Sequence, residues 1–168
     1  MTRIVPFWAI LLLVVFAAGC ATAPSTNTTS LNLRHHQLNI PTDSLAGLAL
    51  MEESLHVKYE NGEVLSVMVQ NFSAMSLPEG MTGPEFMTRV YGASEPEVQA
   101  LAAIREAVFS DVKTHSVDTL AEGLTAYRLG YPERVTVYVV DEEVEGSFLL
   151  VEGSDGRIDN VTKTITRR

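Results

Sequence analysis

Residues 54–70 alternate between apolar and polar side chains on either side of Asn61-Gly62, and this pattern constrains the fold more than any other stretch of the chain. Ser54-Leu55-His56-Val57-Lys58-Tyr59-Glu60 has period two, and Glu63-Val64-Leu65-Ser66-Val67-Met68-Val69-Gln70 resumes it. Alternation is the signature of a strand with two unlike faces, and Asn-Gly favours the positive φ of a type I′ turn. The pattern predicts a β-hairpin with a two-residue turn. Leu55, Val57 and Tyr59 share one face, and Leu65, Val67 and Val69 share a face on the return. Val64 and Met68 point the other way, so the second strand should be central, with a layer on each side.

Helical signals follow. Thr82-Gly83-Pro84-Glu85 combines a capping residue, a first-turn proline and the acid of a capping box. Phe86, Met87, Val90 and Tyr91 then form one stripe, and Gly92 ends it. Ser94-Glu95-Pro96-Glu97 repeats the start signature and predicts a second helix reaching about Ser110. Its apolar arc holds Val98, Leu101, Ala102, Ile104, Val108 and Phe109.

Beyond a polar link through His115 and Asp118, strand character returns at Leu124–Leu129, Arg134–Val140 and Ser147–Val151. Ile158, Val161 and Ile165 stand at helical spacing, while Thr162, Thr164 and Thr166 favour a strand, so residues 157–166 read as either. Ahead of the hairpin, Gln37–Ile40 alternates and Leu45–Met51 is apolar without a clear period. The order β-β-β-α-α-β-β-β-α describes an α+β domain. Its antiparallel sheet should have about five to six strands, with two to three helices packed on it.

The N-terminus has a different character. Met1-Thr2-Arg3 precedes an apolar run from Ile4 to Ala18, and the chain's only cysteine, Cys20, follows Gly19. As a helix that run would reach roughly 22 Å, short of a ~30 Å hydrocarbon core. A positive start, a short apolar core and a small-residue exit describe a secretory signal peptide and not a spanning anchor.

The exit, Ala17-Ala18-Gly19-Cys20, resembles the bacterial lipobox, although Ala17 stands where leucine is commonest. The resemblance implies cleavage between Gly19 and Cys20, a diacylglyceryl thioether on the Cys20 sulfur and a further acyl chain on its amine. Two or more chains hold a protein stably to a bilayer. Ala21, where aspartate would retain the protein at the inner membrane, implies the outer membrane of a Gram-negative cell, facing the periplasm. Domains should therefore run 1–19 as signal peptide, 20–33 as lipidated cysteine and flexible tether, and 34–168 as one globular domain. The tether is expected because residues 21–33 lack apolar periodicity.

Charge bounds the partners. Twelve Lys and Arg face 21 Asp and Glu, and only Arg3 of these lies before Cys20, leaving 11 against 21 and a mature charge of −10. Such a surface excludes nucleic acid as a partner. With Cys20 acylated, no thiol is left for a disulfide, a nucleophile or a zinc-thiolate site.

Residues that could carry chemistry are few. His35, His36, His56 and His115 have no companions at metal-ligand spacing, so no metal and no cofactor is expected. His115-Ser116 with Asp111 and Asp118 contains the ingredients of a triad without its geometry. Asp141, Glu142, Glu143 and Glu145 read as a solvated hairpin tip. Arg105 falls inside the apolar arc of the second helix. Its stem can lie over the core with the guanidinium at the edge, or it can pair with Glu85 or Asp118, or face a pocket for an anionic group. Phe72, Met75 and Leu77 are apolar in a stretch without period, fitting either a binding loop or a loop tucked over the core.

No nucleophile elbow, dinucleotide loop, phosphate-binding lysine motif or zinc-protease motif occurs. The expectation is a membrane-tethered, non-catalytic domain binding an envelope partner. A carrier of a small anionic or lipidic ligand near Arg105 is the alternative, and a hydrolase working through His115 the second. The layout resembles small periplasmic binding and accessory domains, the PsbP-like group among them, a resemblance of layout that implies no activity.

Overall fold

The computed structural model describes residues 27–168, and the anchoring segment read at residues 1–20 lies outside them. The described residues form an α+β fold. Five strands come first: β1 (Thr28–Leu33), β2 (His36–Pro41), β3 (Leu45–Met51), β4 (Ser54–Tyr59) and β5 (Val64–Asn71). Helices α1 (Gly83–Tyr91) and α2 (Gln99–Phe109) follow. Then come β6 (Thr114–Ala121), β7 (Leu124–Gly130), β8 (Val135–Asp141), β9 (Ser147–Gly153), α3 (Asp155–Thr162) and β10 (Thr166–Arg167). Seven strands make one sheet in the order β3-β4-β5-β9-β8-β7-β6, and β1-β2-β10 make a second of three. Every pairing is antiparallel.

The large sheet is covered on both faces. On one, Leu55, Val57, Leu65, Val67, Leu149 and Val151 meet Leu38 and Ile40 of the small sheet and Ile158 and Val161 of α3. On the other, Tyr127, Val140 and Phe148 meet Phe86, Met87 and Val90 of α1 and Leu101 of α2. Two faces packed on two different layers explain why β8, Val-Thr-Val-Tyr-Val-Val-Asp, is almost continuously buried.

The hairpin forms, with a different turn. Tyr59 N–H donates to the Glu63 carbonyl at 2.9 Å, so the loop is Glu60-Asn61-Gly62, and only Gly62 takes positive φ, at 87°. A three-residue loop with glycine in the left-handed region replaces the expected two-residue turn. The reason is register. The observed pairing sets Leu55 opposite Val67 and Val57 opposite Leu65. Moving the pairing by one residue would put Val57 opposite a polar side chain and turn one strand inside out. As expected, β5 is central, between β4 and β9.

Four other segments differ from the sequence reading, and one expected sheet of five or six strands becomes two sheets of seven and three among the described residues. Thr28–Leu33, placed in the tether by its polar composition, is a strand, because β2 supplies a complete antiparallel partner from Thr28↔Pro41 to Leu33↔His36. The polar link at His115 and Asp118 is β6, an edge strand paired along β7. The second helix starts at Gln99 and not at the Ser94–Glu97 signature; Val98 stays 46% exposed, so the first turn lacks the packing that sustains a short helix. Finally, residues 157–166 are both things in turn. Ile158 and Val161 bury the helix α3, and Thr166 and Arg167 then pair with Gln37 and His36 of β2.

A candidate binding groove

The end of β5 delivers the chain into the loop read as a contact surface. Phe72 N–H donates to the Gly146 carbonyl at 3.1 Å, tying the loop to the β8–β9 turn. The Phe72 ring lies 4.9 Å from that of Phe148 and is only 4% exposed. It also presses on Gly83, where a Cβ would collide with the ring. Phe72 is therefore mainly a core anchor, and only an edge of its side chain reaches the wall of the groove that its neighbours line.

Met75 and Leu77 behave differently. Both are half-buried, and with Met81, Pro84 and Gly146 they line an open groove of about 730 Å³. Successive short-range bonds hold the loop's shape, from Met75 N–H to the Phe72 carbonyl at 2.9 Å and from Met81 N–H to the Pro78 carbonyl at 3.1 Å. Thr82 caps α1 by accepting from the Glu85 amide at 3.3 Å, as its capping sequence predicts. Across the groove stand Glu142 and Glu145, exposed and without an ion-pair partner among the described residues. A floor of two methionines and a leucine adapts its shape to what it meets, and two free carboxylates set its charge.

Arg105 is committed elsewhere. Its Nη1 donates to the carbonyls of Val90 at 2.6 Å and Gly92 at 2.9 Å, and its guanidinium lies 4.5 Å from the Phe109 ring centre. It satisfies the end of α1 from the face of α2, where helix carbonyls lack partners of their own. Neither expected carboxylate reaches it: Glu85 pairs with Arg89 at 2.7 Å, and Asp118 accepts from Ser116 at 3.0 Å. The hollow beside Arg105 is an open surface depression that also carries Glu95 and Glu106, a poor setting for an anion.

The triad ingredients are dispersed. His115 Nε2 donates to the Tyr91 carbonyl at 2.8 Å and stacks edge-on against Phe109. Ser116, its neighbour along β6, faces the opposite side of the sheet, as strand alternation requires. His56 Nδ1 lies 3.0 Å from Ser66 Oγ, and His35 is exposed in the β1–β2 turn. Among the described residues no three His, Cys, Asp or Glu side chains approach metal-binding geometry.

One group missed by sequence reasoning is Asp141. Read as part of a solvated tip, it is 0% exposed. Arg167 holds it bidentately, Nη2 to Oδ1 at 2.6 Å and Nε to Oδ2 at 2.8 Å, and the Glu143 amide donates to Oδ1 at 2.9 Å. Buried His36 stands 3.4 Å away, longer than an ordinary hydrogen bond. Burial pushes the Asp141 carboxyl up, but the Arg167 bonds and the amide outweigh it and hold the group below its ordinary value. Burial lowers His36 in turn, more than Asp141 raises it. The arrangement is a charged aspartate beside a neutral imidazole, sealed from solvent. It joins the small sheet to the end of β8. The only local hint is that Asp141 ends a strand while its acidic neighbours do not.

No family model matches the chain, and neither a curated protein nor a solved structure matches it.

Proposed function

We propose that this chain is a bacterial lipoprotein, anchored through Cys20 to the outer membrane and facing the periplasm, whose folded domain binds an envelope protein without catalysing a reaction. The supporting observation is the groove of Met75, Leu77 and Met81, with Glu142 and Glu145 at its rim. Adaptable apolar side chains beside free carboxylates suit a peptide segment that is apolar on one side and basic on the other. No helix among the described residues is long and apolar enough to cross a membrane. With β1 starting at Thr28, the tether would be residues 20–27, a reach of at most about 29 Å.

Two measurements test this. Cys20→Ser should abolish incorporation of labelled palmitate and release the protein from membranes with its fold unchanged; a mutant that is still labelled refutes the anchor. Mild crosslinking of the acylated protein in its membrane should capture a partner that Met75→Glu with Leu77→Glu loses. Capture unaffected by that pair, or no capture at all, refutes the groove as the site.

A further inference from the structure

The two edges of the large sheet are built differently. At one end, β6 carries His115, Ser116, Asp118 and Thr119, polar side chains that discourage pairing with another strand. At the other end β3, Leu-Ala-Gly-Leu-Ala-Leu-Met, has no charge and no proline, and among the described residues it pairs with β4 alone. Leu48 is 43% exposed, Leu50 50% and Met51 56%. Cross-strand partners share a face, so Leu48 and Leu50, opposite Val57 and Leu55, belong to the core side of the sheet. Their exposure shows that nothing among the described residues covers them. A long, uncharged edge with unpaired backbone groups is the feature that folded proteins ordinarily suppress.

Charge decides what such an edge can accept. Asp43 precedes β3, and Glu52 and Glu53 follow it. Asp43 accepts from the Asn27 amide and Glu53 pairs with Arg34, while Glu52 has no ion-pair partner among the described residues. A second copy laid antiparallel on β3 about Leu48 would bring each Asp43 to the other's Glu52-Glu53 corner, where only Glu53 has a cation beside it, between two chains of strongly negative charge. Like charges juxtaposed in that way oppose association.

We infer that the β3 edge, Leu45–Met51, is a strand-addition site for an extended segment of a partner protein that is apolar at alternate positions and carries Lys or Arg at its ends. The added strand takes up the free N–H and C=O groups of β3, and its apolar side chains cover Leu48 and Leu50. Its basic ends meet Asp43 and Glu52. This site is separate from the Met75 groove and stands whether or not that groove binds.

The probe is a synthetic peptide of alternating valine and threonine with lysines at both ends, and its counterpart with glutamates there. Binding to the full chain in mild detergent is followed by anisotropy of the labelled peptide and by amide hydrogen exchange. The lysine peptide should bind and slow exchange within residues 45–51, and the glutamate peptide should bind at least ~10-fold more weakly. Leu50→Lys should weaken the lysine peptide by a similar factor, and Leu48→Thr, which keeps strand propensity, should also weaken it. Met75→Glu should leave it unchanged. Equal binding of the two peptides, protection elsewhere, or indifference to Leu50→Lys and Leu48→Thr would overturn the assignment. So would protection of residues 45–51 that rises with protein concentration and no peptide, since that marks self-pairing.

Discussion

Arg167 grips both oxygens of the Asp141 carboxylate, at 2.6 and 2.8 Å, and so fastens the last strand of the chain to the end of β8. Asp141 is fully buried while Arg167 is partly exposed, so the two partners are not equivalent. Removing the arginine strands a carboxylate out of water, whereas removing both removes the problem. Arg167→Leu should therefore lower Tm by several degrees, and Asp141→Leu with Arg167→Leu should recover much of the loss. Thermal unfolding followed by circular dichroism reads the difference. A double variant less stable than Arg167→Leu would contradict the account.

Stability should depend on pH through the same cluster. His36 is held below its ordinary 6.5, so the unfolded chain takes up its proton first, and stability falls as pH drops below about 6.5. Asp141 is held below its ordinary 3.8, so its contribution is present above that value and disappears as pH falls through the lower, folded value. Two steps of loss are expected on acidification, with a plateau near neutrality. His36→Gln should flatten the upper step and keep the lower one. Tm measured from pH 8 to pH 3 settles it; an unchanged upper step in His36→Gln would assign that step to another group.

Gly83 lies against the Phe72 ring with no room for a methyl group. Gly83→Ala must push the ring or the start of α1, at a cost of about 1–3 kcal/mol. The displacement reaches the groove wall at Met75 and Met81, so loss of stability and loss of partner capture should appear together. Denaturant unfolding gives the first and crosslinking the second. In Phe72→Leu, with Gly83→Ala, the clash is relieved and part of the stability should return.

Arg105 closes the end of α1 from α2. Arg105→Ala frees the Val90 and Gly92 carbonyls, and solvent reaches this half-buried site, so the loss should be modest, about 1 kcal/mol. Hydrogen exchange should accelerate in the last turn of α1 and at the start of α2, and not in the sheet. Fast exchange throughout the chain would mean that Arg105 holds more than this junction.

The elements legible in the sequence are those whose information is local. The β4–β5 alternation, the Thr82 cap and the Phe86–Tyr91 stripe each sit within one element, and each side chain states its own environment. The groove was half legible: Met75 and Leu77 stood out as apolar without a period, but nothing nearby revealed that Phe72 beside them is an anchor under Gly83. Strands β1 and β6 escaped because their side chains are polar and exposed on edges, where backbone pairing supplies the stabilisation that composition would have signalled.

The anchor proposed at Cys20 rests on the sequence alone, since a signal of that kind would be read in an extended chain before any fold exists. The α+β class and the apolar faces are likewise set by periodicity. Tertiary structure alone decided the rest. It buried Asp141 beneath an arginine 26 residues away and a histidine from the opposite end of the domain. It lengthened the Asn61-Gly62 turn by one residue to keep two apolar faces together, set Arg105 against the carbonyls that end α1, and left β3 at an edge. Each of these depends on which distant segment arrives alongside, and burial, charge compensation and edge exposure are properties of that arrival.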